Sequence, residues 1–589
     1  MAADRRKPFR LRDGPADAAR IDGLVSQMSI EQKIGQMCTF EFCGTRITPD
    51  VVAAVREHHC GGLRVTPHIY TALLYGVRHR TDGMDVQRLS PYAGPDEYAE
   101  LLNELQRLAL ARPLSIPLHI SSDQEGDWSQ DYSRGGVNLF PSQMGMAATG
   151  DPELVYEAYR AVARQQRAVG IMMLHTPVLD VNTNPDNPEI GTRSFSDDPE
   201  TVVEYGLALM RAFRDEGVVA TGKHFPGRGE SSVDVHFSLD THRGDRRRLD
   251  EVELYPYRAL IAEGLPAVMV AHTIYPALDG TNTPASVSRA IVTDLLRGEL
   301  GFEGVITSDA MGMRGVIEMF DGFGEACAAA LAAGNDLVLA KGDPTLQPEV
   351  IAAALRYLDE GKLGEAQVDA SVRRVLAMKM RYGLFEQPEA DPAGALDAVR
   401  DRETVEISRR AAVACMSVVR DEDDLLPVAR DARVFVTDQH NWPYHNKAAD
   451  YSYHSHQLPE FLRARAADPL LVDDWETGLQ VSADDERECL ERAARADVVV
   501  VLSSYWRSSG TNTALLRKLI ATGRPVITVS NCPYEWISIP EAQTLILSWS
   551  CMPRSLEAAA EVIYGDLDPG PAAWPLRDYA LPGAGGGCP

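Results

Sequence analysis

The chain has 589 residues, of which 45% are hydrophobic and 24% are charged, a balance typical of a folded globular protein and not of a disordered chain. Its 85 acidic side chains outnumber the 58 basic ones and give a formal charge of −27. This excess of negative charge repels phosphate backbones and anionic lipid surfaces, so we expect neither nucleic acid nor a membrane as a partner.

The N-terminal residues 1–23 are rich in charge and contain no apolar run of the kind that a signal peptide carries. No stretch of the sequence reaches the roughly 18 apolar residues that a membrane span needs. The nine cysteines are scattered and include no C-x-x-C pair, which argues against a zinc site or a disulfide framework. We therefore predict cytoplasmic residence, no metal and no other cofactor.

Short apolar runs alternate with longer amphipathic runs from about Ile21 to Gly383, as in a series of β/α units. Most of the short runs are continuously apolar, which is typical of parallel strands buried on both faces. A helix is predicted between Asp198, as N-cap, and Gly217, as terminator. The candidate strands are GGLRV (61–65), LHISSD (118–123), GIMMLHTPVLD (170–180), VVATGKHF (218–225), AVMVAHT (267–273), GVITSD (304–309) and NDLVLA (335–340).

Polar side chains follow most of these strands at their C-terminal ends. They are Asp123, Asp180, Lys223, His224, His272, Asp309 and Lys341. In a β/α barrel the C-terminal ends of the strands form the mouth in which catalysis occurs. The pattern therefore predicts an N-terminal (β/α)8 TIM-like barrel with a polar site at its mouth.

A second block of α/β pattern begins near Arg402, after a segment rich in proline and alanine. Its candidate strands are ARVFVTD (432–438), ADVVVVLSSYW (496–506) and RPVITVSN (524–531), with helices such as TALLRKLIATG between them. We predict a barrel over residues 1–390, a linker at 391–401 and a smaller αβα sandwich domain over 402–575. The glycine-rich tail, 576–589, is expected to be disordered.

Asp309 is a candidate nucleophile, because a buried strand delivers its carboxylate to the barrel mouth. Cleavage of a glycosidic bond needs such a carboxylate on one face of the sugar and a proton donor near the departing oxygen. An aspartate after a strand can instead be the N-cap of the following helix, so its neighbours must decide between the two roles.

The segment KHFPGRGESSVDVHFSLD (223–240) supplies a candidate proton donor. Asp234 and His236 lie two residues apart on the loop, a spacing that lets a carboxylate bind and orient an imidazole. Imidazole has an ordinary pKa near 6.5, which suits proton transfer near neutral pH. A solvated histidine without a catalytic role would fit the spacing equally well.

The sequence resembles glycoside hydrolase family 3, and in particular its β-N-acetylglucosaminidase branch. Besides the loop with its D-x-H motif, the matching segments are SSDQEG (121–126), TPVLDVNTNPDNPEIGTRSFSDDPE (176–200), VMVAHTIYPALD (268–279), PASVS (284–288) and LLRGELGFEGVITSDAMGM (295–313). The second block also resembles the second domain of longer family members. β-Glucosidase members usually lack the D-x-H motif, so its presence favours the hexosaminidase branch.

The resemblance implies a retaining, exo-acting enzyme in which Asp309 forms a covalent glycosyl-enzyme and His236, charged and oriented by Asp234, is the acid and base. It also implies that Asp123 binds hydroxyls on the far edge of the sugar. Arg193, Lys223 and His224 would contact the ring hydroxyls, and His272 and Asp180 would make minor contacts or act from behind. We further expect Trp128, Arg228 and Met313 to take part in substrate binding.

Three departures from the family pattern surround these residues. The family usually continues DxEGG, whereas this chain reads DQEGDW, which introduces Asp127 and Trp128. The usual HFPGHG is HFPGRG here and contains Arg228, and the usual D-S-H is D-V-H with Val235. All three alter the expected surroundings of the sugar, so an uncommon sugar or aglycone is a fair hypothesis.

Several alternatives stay open. The leading substrate is a terminal β-N-acetylglucosaminide, such as a peptidoglycan or chitin fragment, and a β-glucoside is the alternative. A neutral imidazole repels phosphate less than a carboxylate would, so a phosphorylase is a further hypothesis, and a noncatalytic sugar-binding protein is another. The segment 66–95 could line a leaving-group subsite or cover the surface, and 440–456 could stack on sugar or form an interface. We expect a small carbohydrate partner and a monomer or homodimer.

Overall fold

The computed structural model describes residues 8–12, 14–67, 93–133, 135–233, 239–439, 457–477, 481–504, 513–534, 539–570 and 572–577. Two sheets dominate these residues, one of eight strands and one of six. The larger sheet forms a parallel barrel and the smaller one belongs to a second α/β domain, so the predicted fold class is confirmed.

Eight parallel strands form the barrel in chain order. They are β1 (Cys38–Cys43), β2 (Gly62–Thr66), β3 (His119–Ser122), β4 (Met173–Leu174), β5 (Val219–Phe225), β6 (Ala267–Val270), β7 (Val305–Ser308) and β8 (Val338–Ala340). Strand β8 pairs with β1, and a parallel bridge between Thr307 and Leu337 connects β7 to the start of β8 and closes the ring. Every residue of these strands is buried.

The strand predictions were correct in position but incomplete. Strand β1, with the sequence CTFEFC, was not predicted, because polar Thr39 and Glu41 alternate with its apolar residues although the whole strand is buried. Strand β4 is regular only over Met173–Leu174, where a longer strand was expected. Pro177 has no N–H to donate to a ladder, and the chain continues beside β5 through irregular bonds, such as that from Lys223 N to Pro177 O at 3.0 Å.

Helices cover the outside of the barrel. The predicted helix forms over Pro199–Glu216: the side chain of Asp198 accepts a hydrogen bond from Thr201 N, and Gly217 ends the helix with φ of 70°. The helices of this region are Pro15–Gln27, Ile30–Gln36, Pro49–Arg56, Pro95–Leu110, Gln143–Ala148, Pro152–Ala168, Pro199–Glu216, Arg246–Arg248, Leu249–Glu253, Tyr255–Ala262, Pro276–Asp279, Ala290–Glu299, Arg314–Ile317, Phe323–Ala333, Gln347–Asp359, Glu365–Arg381, Pro392–Val399 and Arg402–Cys415.

The second sheet contains strands β9 (Ser417–Asp421), β10 (Val434–Gln439), β11 (Val472–Thr477), β12 (Val498–Ser503), β13 (Val526–Ser530) and β14 (Thr544–Leu547). Their spatial order is β9-β14-β13-β12-β10-β11, and all neighbours are parallel except β9 and β14. The helices Gln457–Arg463, Ala483–Ala493, Thr513–Ile520 and Pro553–Tyr564 accompany this sheet. Apolar clusters cover both of its faces.

The two domains share a buried interface. Trp549 is fully buried in an apolar cluster that also contains Met144 and Ala148 of the barrel. Its carbonyl oxygen accepts hydrogen bonds from Ser142 N at 3.2 Å and Ser142 Oγ at 3.0 Å. The segment expected to be a linker, 391–401, contains the helix Pro392–Val399, which contacts the helix Pro95–Leu110. The domain boundaries themselves stay a prediction.

Two outlying segments contact opposite ends of the helix Pro199–Glu216. Phe9 N donates a hydrogen bond to Asp215 O at 2.7 Å near the end of this helix. Arg577 reaches its beginning, where Arg577 N donates to Asp197 Oδ1 at 2.8 Å and the guanidinium pairs with Asp198 at 2.7 Å. Leu576 is buried and Arg577 makes the contacts just described, whereas residues 578–589 of the predicted disordered tail lie outside the described residues. No helix in the described ranges is long and apolar enough to cross a bilayer.

Candidate active site

A polar pocket lies at the barrel mouth, where the strand ends were predicted to deliver functional side chains. It is lined by Arg64, Asp123, His175, Glu189, Arg193, Lys223, His224, Arg228, Met269, Asp309, Ala310, Met313, Leu339 and Lys341. Seven of the side chains assigned to the site from sequence therefore come together around one cavity. Those seven are Asp123, Arg193, Lys223, His224, Arg228, Asp309 and Met313.

Asp309 directly follows β7 and is only 6% exposed. Its Oδ1 accepts a hydrogen bond from Ala310 N at 2.7 Å, while its Oδ2 lies 3.8 Å from Nη2 of Arg228. Burial opposes ionisation of this carboxyl, but the positive charge of Arg228, the nearby His272 and the Ala310 N–H outweigh it and hold the pKa of Asp309 below its ordinary value. The strand end thus presents an ionised carboxylate to the pocket.

Asp123 forms the opposite corner of the pocket, and its side chain is 29% exposed. Its Oδ2 accepts from Arg64 Nη2 at 2.6 Å and its Oδ1 from Lys223 Nζ at 3.0 Å, with His175 Nδ1 at 3.4 Å. Burial would raise the pKa of Asp123, but Lys223 and Arg64 hold it well below the ordinary value. A partly exposed carboxylate between two fixed cations can accept hydrogen bonds from sugar hydroxyls.

Glu125 is a buried carboxylate that fixes two of the predicted sugar-binding cations. It accepts hydrogen bonds from Arg193 Nε at 2.7 Å and Nη2 at 3.0 Å, and Lys223 Nζ lies 2.5 Å away. Sequence reasoning assigned no role to Glu125, although it lies in the SSDQEG segment. Its three charged contacts preorganise Arg193 and Lys223 for the ligand.

Asp180 lies behind the pocket and fixes His224. It is fully buried and accepts hydrogen bonds from His224 Nδ1 at 2.7 Å, His224 N at 3.2 Å and Arg228 N at 2.7 Å. Burial and the charges of Arg228 and Arg193 hold the pKa of His224 well below its ordinary value, so the ring is neutral. Because Nδ1 donates to the carboxylate, Nε2 is an acceptor, and it lies 3.4 Å from Arg193 Nη2.

Arg228 forms a buried ion pair with Glu189 beside Asp309. Its Nη2 lies 2.7 Å from Glu189 Oε1, and the two side chains are 1% and 3% exposed. Asn187 braces the loops that carry the pair: its Nδ2 donates to Arg228 O at 2.9 Å and its Oδ1 accepts from Glu189 N at 2.9 Å. Glu189 Oε1 also lies 3.5 Å from Arg193 Nη1. Sequence reasoning did not single out Glu189, because its pairing with Arg228, distant along the chain, forms only on folding.

Three other predicted residues do not line this pocket. Asp180 acts through His224, and His272, fully buried, bonds Ser286 Oγ at 2.7 Å and Ala310 O at 3.1 Å from behind Asp309. Trp128, expected beside the sugar, instead packs between the cores of the two domains. The preceding residue, Asp127, lies in a turn with a left-handed backbone, φ of 45°.

Asp127 was also expected beside the sugar, but its carboxylate points into the second domain. It accepts hydrogen bonds from Asn531 Nδ2 at 2.7 Å, Ser550 Oγ at 2.9 Å and Cys551 N at 2.8 Å. Burial raises the pKa of Asp127 to about 6, against the effect of these donors. The departure from the family pattern at this position therefore serves the domain interface.

The predicted acid/base pair, Asp234 and His236, lies outside the described residues, as does Val235. Asn184 holds the loop stem before them: its Nδ2 donates to Glu230 O at 3.2 Å and Ser231 O at 2.9 Å. Most of the 66–95 segment and all of 440–456 also lie outside the described residues, so the interpretations offered for them stay predictions.

Glu230, His242 and Glu253 lie close enough together to raise the question of a metal ion. Glu230 and His242 also line a separate cavity of about 760 Å³ beside the loop stem. However, His242 Nδ1 accepts a hydrogen bond from Gly244 N at 3.1 Å, so in the neutral ring the proton is on Nε2. That nitrogen faces Glu253 at 3.2 Å and Glu230 at 3.4 Å as a donor, which is the wrong state for a metal ligand.

The comparisons with known proteins agree with this geometry. The family model "Glycosyl hydrolase family 3 N terminal domain" matches residues 29–378. A "Beta-hexosaminidase A" of Pseudoalteromonas piscicida is 32% identical over 355 residues, which cover 57% of this chain and 58% of that relative. A "Beta-N-acetylglucosaminidase/beta-glucosidase" of Cellulomonas fimi is 28% identical over 472 residues, which cover 77% of this chain and 82% of the relative.

A solved structure supports the same assignment. The glycoside hydrolase family 3 beta-N-acetylglucosaminidase of Paenibacillus sp. str. FPU-7 has a TM-score of 0.80 to this chain at 30% sequence identity, covering 93% of this chain and 99% of the other. Together with the parallel barrel and the carboxylate and cations at its mouth, these matches place the chain among the glycoside hydrolases. The chain belongs to glycosyl hydrolase family 3, and among its members it is similar to the hexosaminidases.

Proposed function

We propose that the protein removes terminal β-N-acetylglucosamine from small glycosides with retention of configuration. The observation that carries this proposal is the position of Asp309, buried and ionised at the end of β7 and facing the sugar-binding corner at Asp123. The D-x-H motif of the sequence, Asp234 with His236, supports the hexosaminidase branch over the glucosidase branch.

In the first step a carboxylate oxygen of Asp309 attacks C1 of the sugar as the bond from C1 to the leaving oxygen breaks. His236, protonated and oriented by Asp234, donates its proton to that oxygen. The product is a neutral glycosyl ester of Asp309 and a free alcohol. In the second step His236 takes a proton from water, the water oxygen attacks C1, and the electron pair of the ester bond returns to Asp309.

The fixed charges of the pocket hold the terminal sugar in place for both steps. Asp123 and Lys223 would bind hydroxyls at the far edge of the ring, and Arg193 with the acceptor Nε2 of His224 would bind those nearer the cleaved bond. Arg64, paired with Asp123 at 2.6 Å, fixes the carboxylate at this edge for binding of a terminal unit.

The proposal is tested by comparing hydrolysis of aryl β-N-acetylglucosaminide and aryl β-glucoside. Preference for the first is expected, and preference for the second would overturn the substrate assignment. An activated 5-fluoro sugar of the preferred type should label Asp309, which peptide mass spectrometry detects, and Asp309→Ala should abolish turnover. Labelling of another residue would overturn the assignment of the nucleophile.

His236 is tested separately by its dependence on the leaving group. His236→Ala should lose about 10²-fold or more on alkyl glycosides but far less on glycosides of acidic phenols, because such leaving groups need little protonation. Equal losses on both would contradict the acid role.

A β-glucosidase is the second candidate, and the name of the Cellulomonas fimi relative, which combines both activities, favours testing it. Assays in phosphate and in a zwitterionic buffer also test the phosphorylase hypothesis, because phosphorolysis alone yields a sugar 1-phosphate. Cytoplasmic residence and a monomeric or homodimeric state stay predictions.

A further inference from the structure

The ion pair of Arg228 and Glu189 lies directly beside the proposed nucleophile. Nη2 of Arg228 is 2.7 Å from Glu189 Oε1 and 3.8 Å from Asp309 Oδ2. The guanidinium is too far from Asp309 for a hydrogen bond but near enough to act on its charge. Within the described ranges, Asp309 Oδ2 accepts no hydrogen bond, so this oxygen stays available for C1 of a sugar.

Burial of its side chain and hydrogen bonds to its backbone hold Arg228 in this position. Its side chain is only 1% exposed, its backbone N donates to Asp180 Oδ1 at 2.7 Å, and Asn187 binds its carbonyl oxygen at 2.9 Å. Tyr275 Oη also donates to the neighbouring Gly227 O at 2.7 Å. A charge held this rigidly in a buried site acts on the reaction without reorganisation.

The charge of Asp309 changes twice in a double displacement. It is lost when the carboxylate becomes a glycosyl ester and regained when the ester is cleaved. A fixed positive charge nearby stabilises the carboxylate, so it opposes the first change and favours the second. Glu189 offsets part of this effect, because its negative charge opposes ionisation of Asp309.

We propose that Arg228 is a positioning residue for deglycosylation: it stabilises the Asp309 carboxylate as the group that leaves C1, and Glu189 moderates it. The proposal rests on Asp309 as the nucleophile. Removing Arg228 should slow cleavage of the ester and not its formation, whereas removing the charge of Glu189 should do the opposite. The pair therefore balances the rates of the two half-reactions.

The test separates the two half-reactions with an activated 5-fluoro glycosyl fluoride of whichever sugar the enzyme hydrolyses. The inactivation rate reports formation of the ester, and the rate at which activity returns after removal of the reagent reports its cleavage. In Arg228→Met we expect reactivation to fall roughly 10- to 100-fold while inactivation is unchanged or faster. In Glu189→Gln reactivation should rise and inactivation should fall, and Arg228→Lys should stay near the wild type.

A structural role would instead lower both rates together. Parallel changes of the two rates in Glu189→Gln, or no change in either, would overturn the inference, and this variant decides the matter if Arg228→Met does not fold. The control is the exposed pair of Arg247 and Glu251, whose side chains are 83% and 59% exposed: Arg247→Met should leave both rates unchanged. If the reagent does not label Asp309 in the wild type, the proposed function itself fails. If Asp309 is labelled but the substitutions leave the inactivation and reactivation rates unchanged, only the inference about Arg228 and Glu189 fails.

Discussion

Asp180→Asn tests how a buried carboxylate sets the hydrogen-bonding state of the pocket. Asp180 accepts three hydrogen bonds, two from His224 and one from Arg228 N. Asparagine has the same shape but offers one acceptor oxygen and one N–H2 group. If its oxygen keeps the bond to Arg228 N, its N–H2 faces His224, whose ring must then accept at Nδ1 and place its proton on Nε2.

The magnitude follows from what His224 Nε2 touches. His224 Nε2 lies 3.4 Å from Arg193 Nη2. A proton on Nε2 would therefore place two hydrogen-bond donors next to each other and would remove an acceptor for the sugar. Loss of one buried hydrogen bond, with a donor left unsatisfied, costs roughly 1–3 kcal/mol. The expected result is a fall in kcat/KM of about 10- to 100-fold at pH 8.

The pH dependence supplies a second, independent readout. Burial raises the pKa of Asp180 from 3.8 to about 6, so wild-type kcat/KM should fall about tenfold per pH unit below about 6. Asp180→Asn should lack this limb. The native state binds this proton more tightly than the unfolded chain does, so between pH 6 and 4 the same group adds up to about 3 kcal/mol to the free energy of unfolding. Acid should therefore reduce activity before it unfolds the protein.

The assay is hydrolysis of an aryl glycoside between pH 4.5 and 8.5, with melting temperatures measured at the same values. Asp186→Asn is the matched control, because Asp186 is exposed on the same loop. If Asp180→Asn keeps both the wild-type kcat/KM and the acid limb near pH 6, the argument from the His224 ring is wrong.

Two further substitutions test the framework of the site. Asp127→Ala should lower the free energy of unfolding in guanidinium by about 3 kcal/mol, about 1 kcal/mol for each of the three hydrogen bonds to the second domain that it removes. An unchanged free energy of unfolding would refute the anchoring role of Asp127. Gly229→Ala should lower both the melting temperature and kcat/KM, the latter at least tenfold, because a β-carbon there would lie 1.7 Å from Val181 O. Gly23→Ala, with open space around it, is the control and should keep wild-type activity.

The barrel could be predicted because strands buried on both faces have continuous apolar sequences and end in polar residues. Asp309 and Lys223 were placed correctly at the mouth for this reason. Strand β1 was missed because Glu41 interrupts its apolar pattern, and the structure shows why a charge is tolerated there: Arg64 of β2 lies 3.7 Å from it. Such a pairing between strands is not visible in local sequence.

The remainder of the site depends on contacts between residues far apart in the chain. Glu189 contacts Arg228, which is 39 residues away in the sequence, and Asp127 contacts Cys551, which is 424 residues away. Periodicity and motif spacing carry no information on such pairs, so Glu189 was overlooked and Trp128 was expected on the wrong side of its turn. Trp128 is itself a departure of this chain from its family, and Glu189 contacts another, Arg228.

The segments that contain Phe9 and Arg577 contact opposite ends of the helix Pro199–Glu216, and this arrangement has a practical consequence. This helix has 18 residues and spans about 27 Å, with Phe9 at its far end and Arg577 at the end nearest the barrel mouth. If the protein were coupled to a bead or a fusion partner through the Phe9 side, the barrel mouth would face the solvent. Coupling through the Arg577 side would place the support beside the barrel mouth, where it would block access to the pocket.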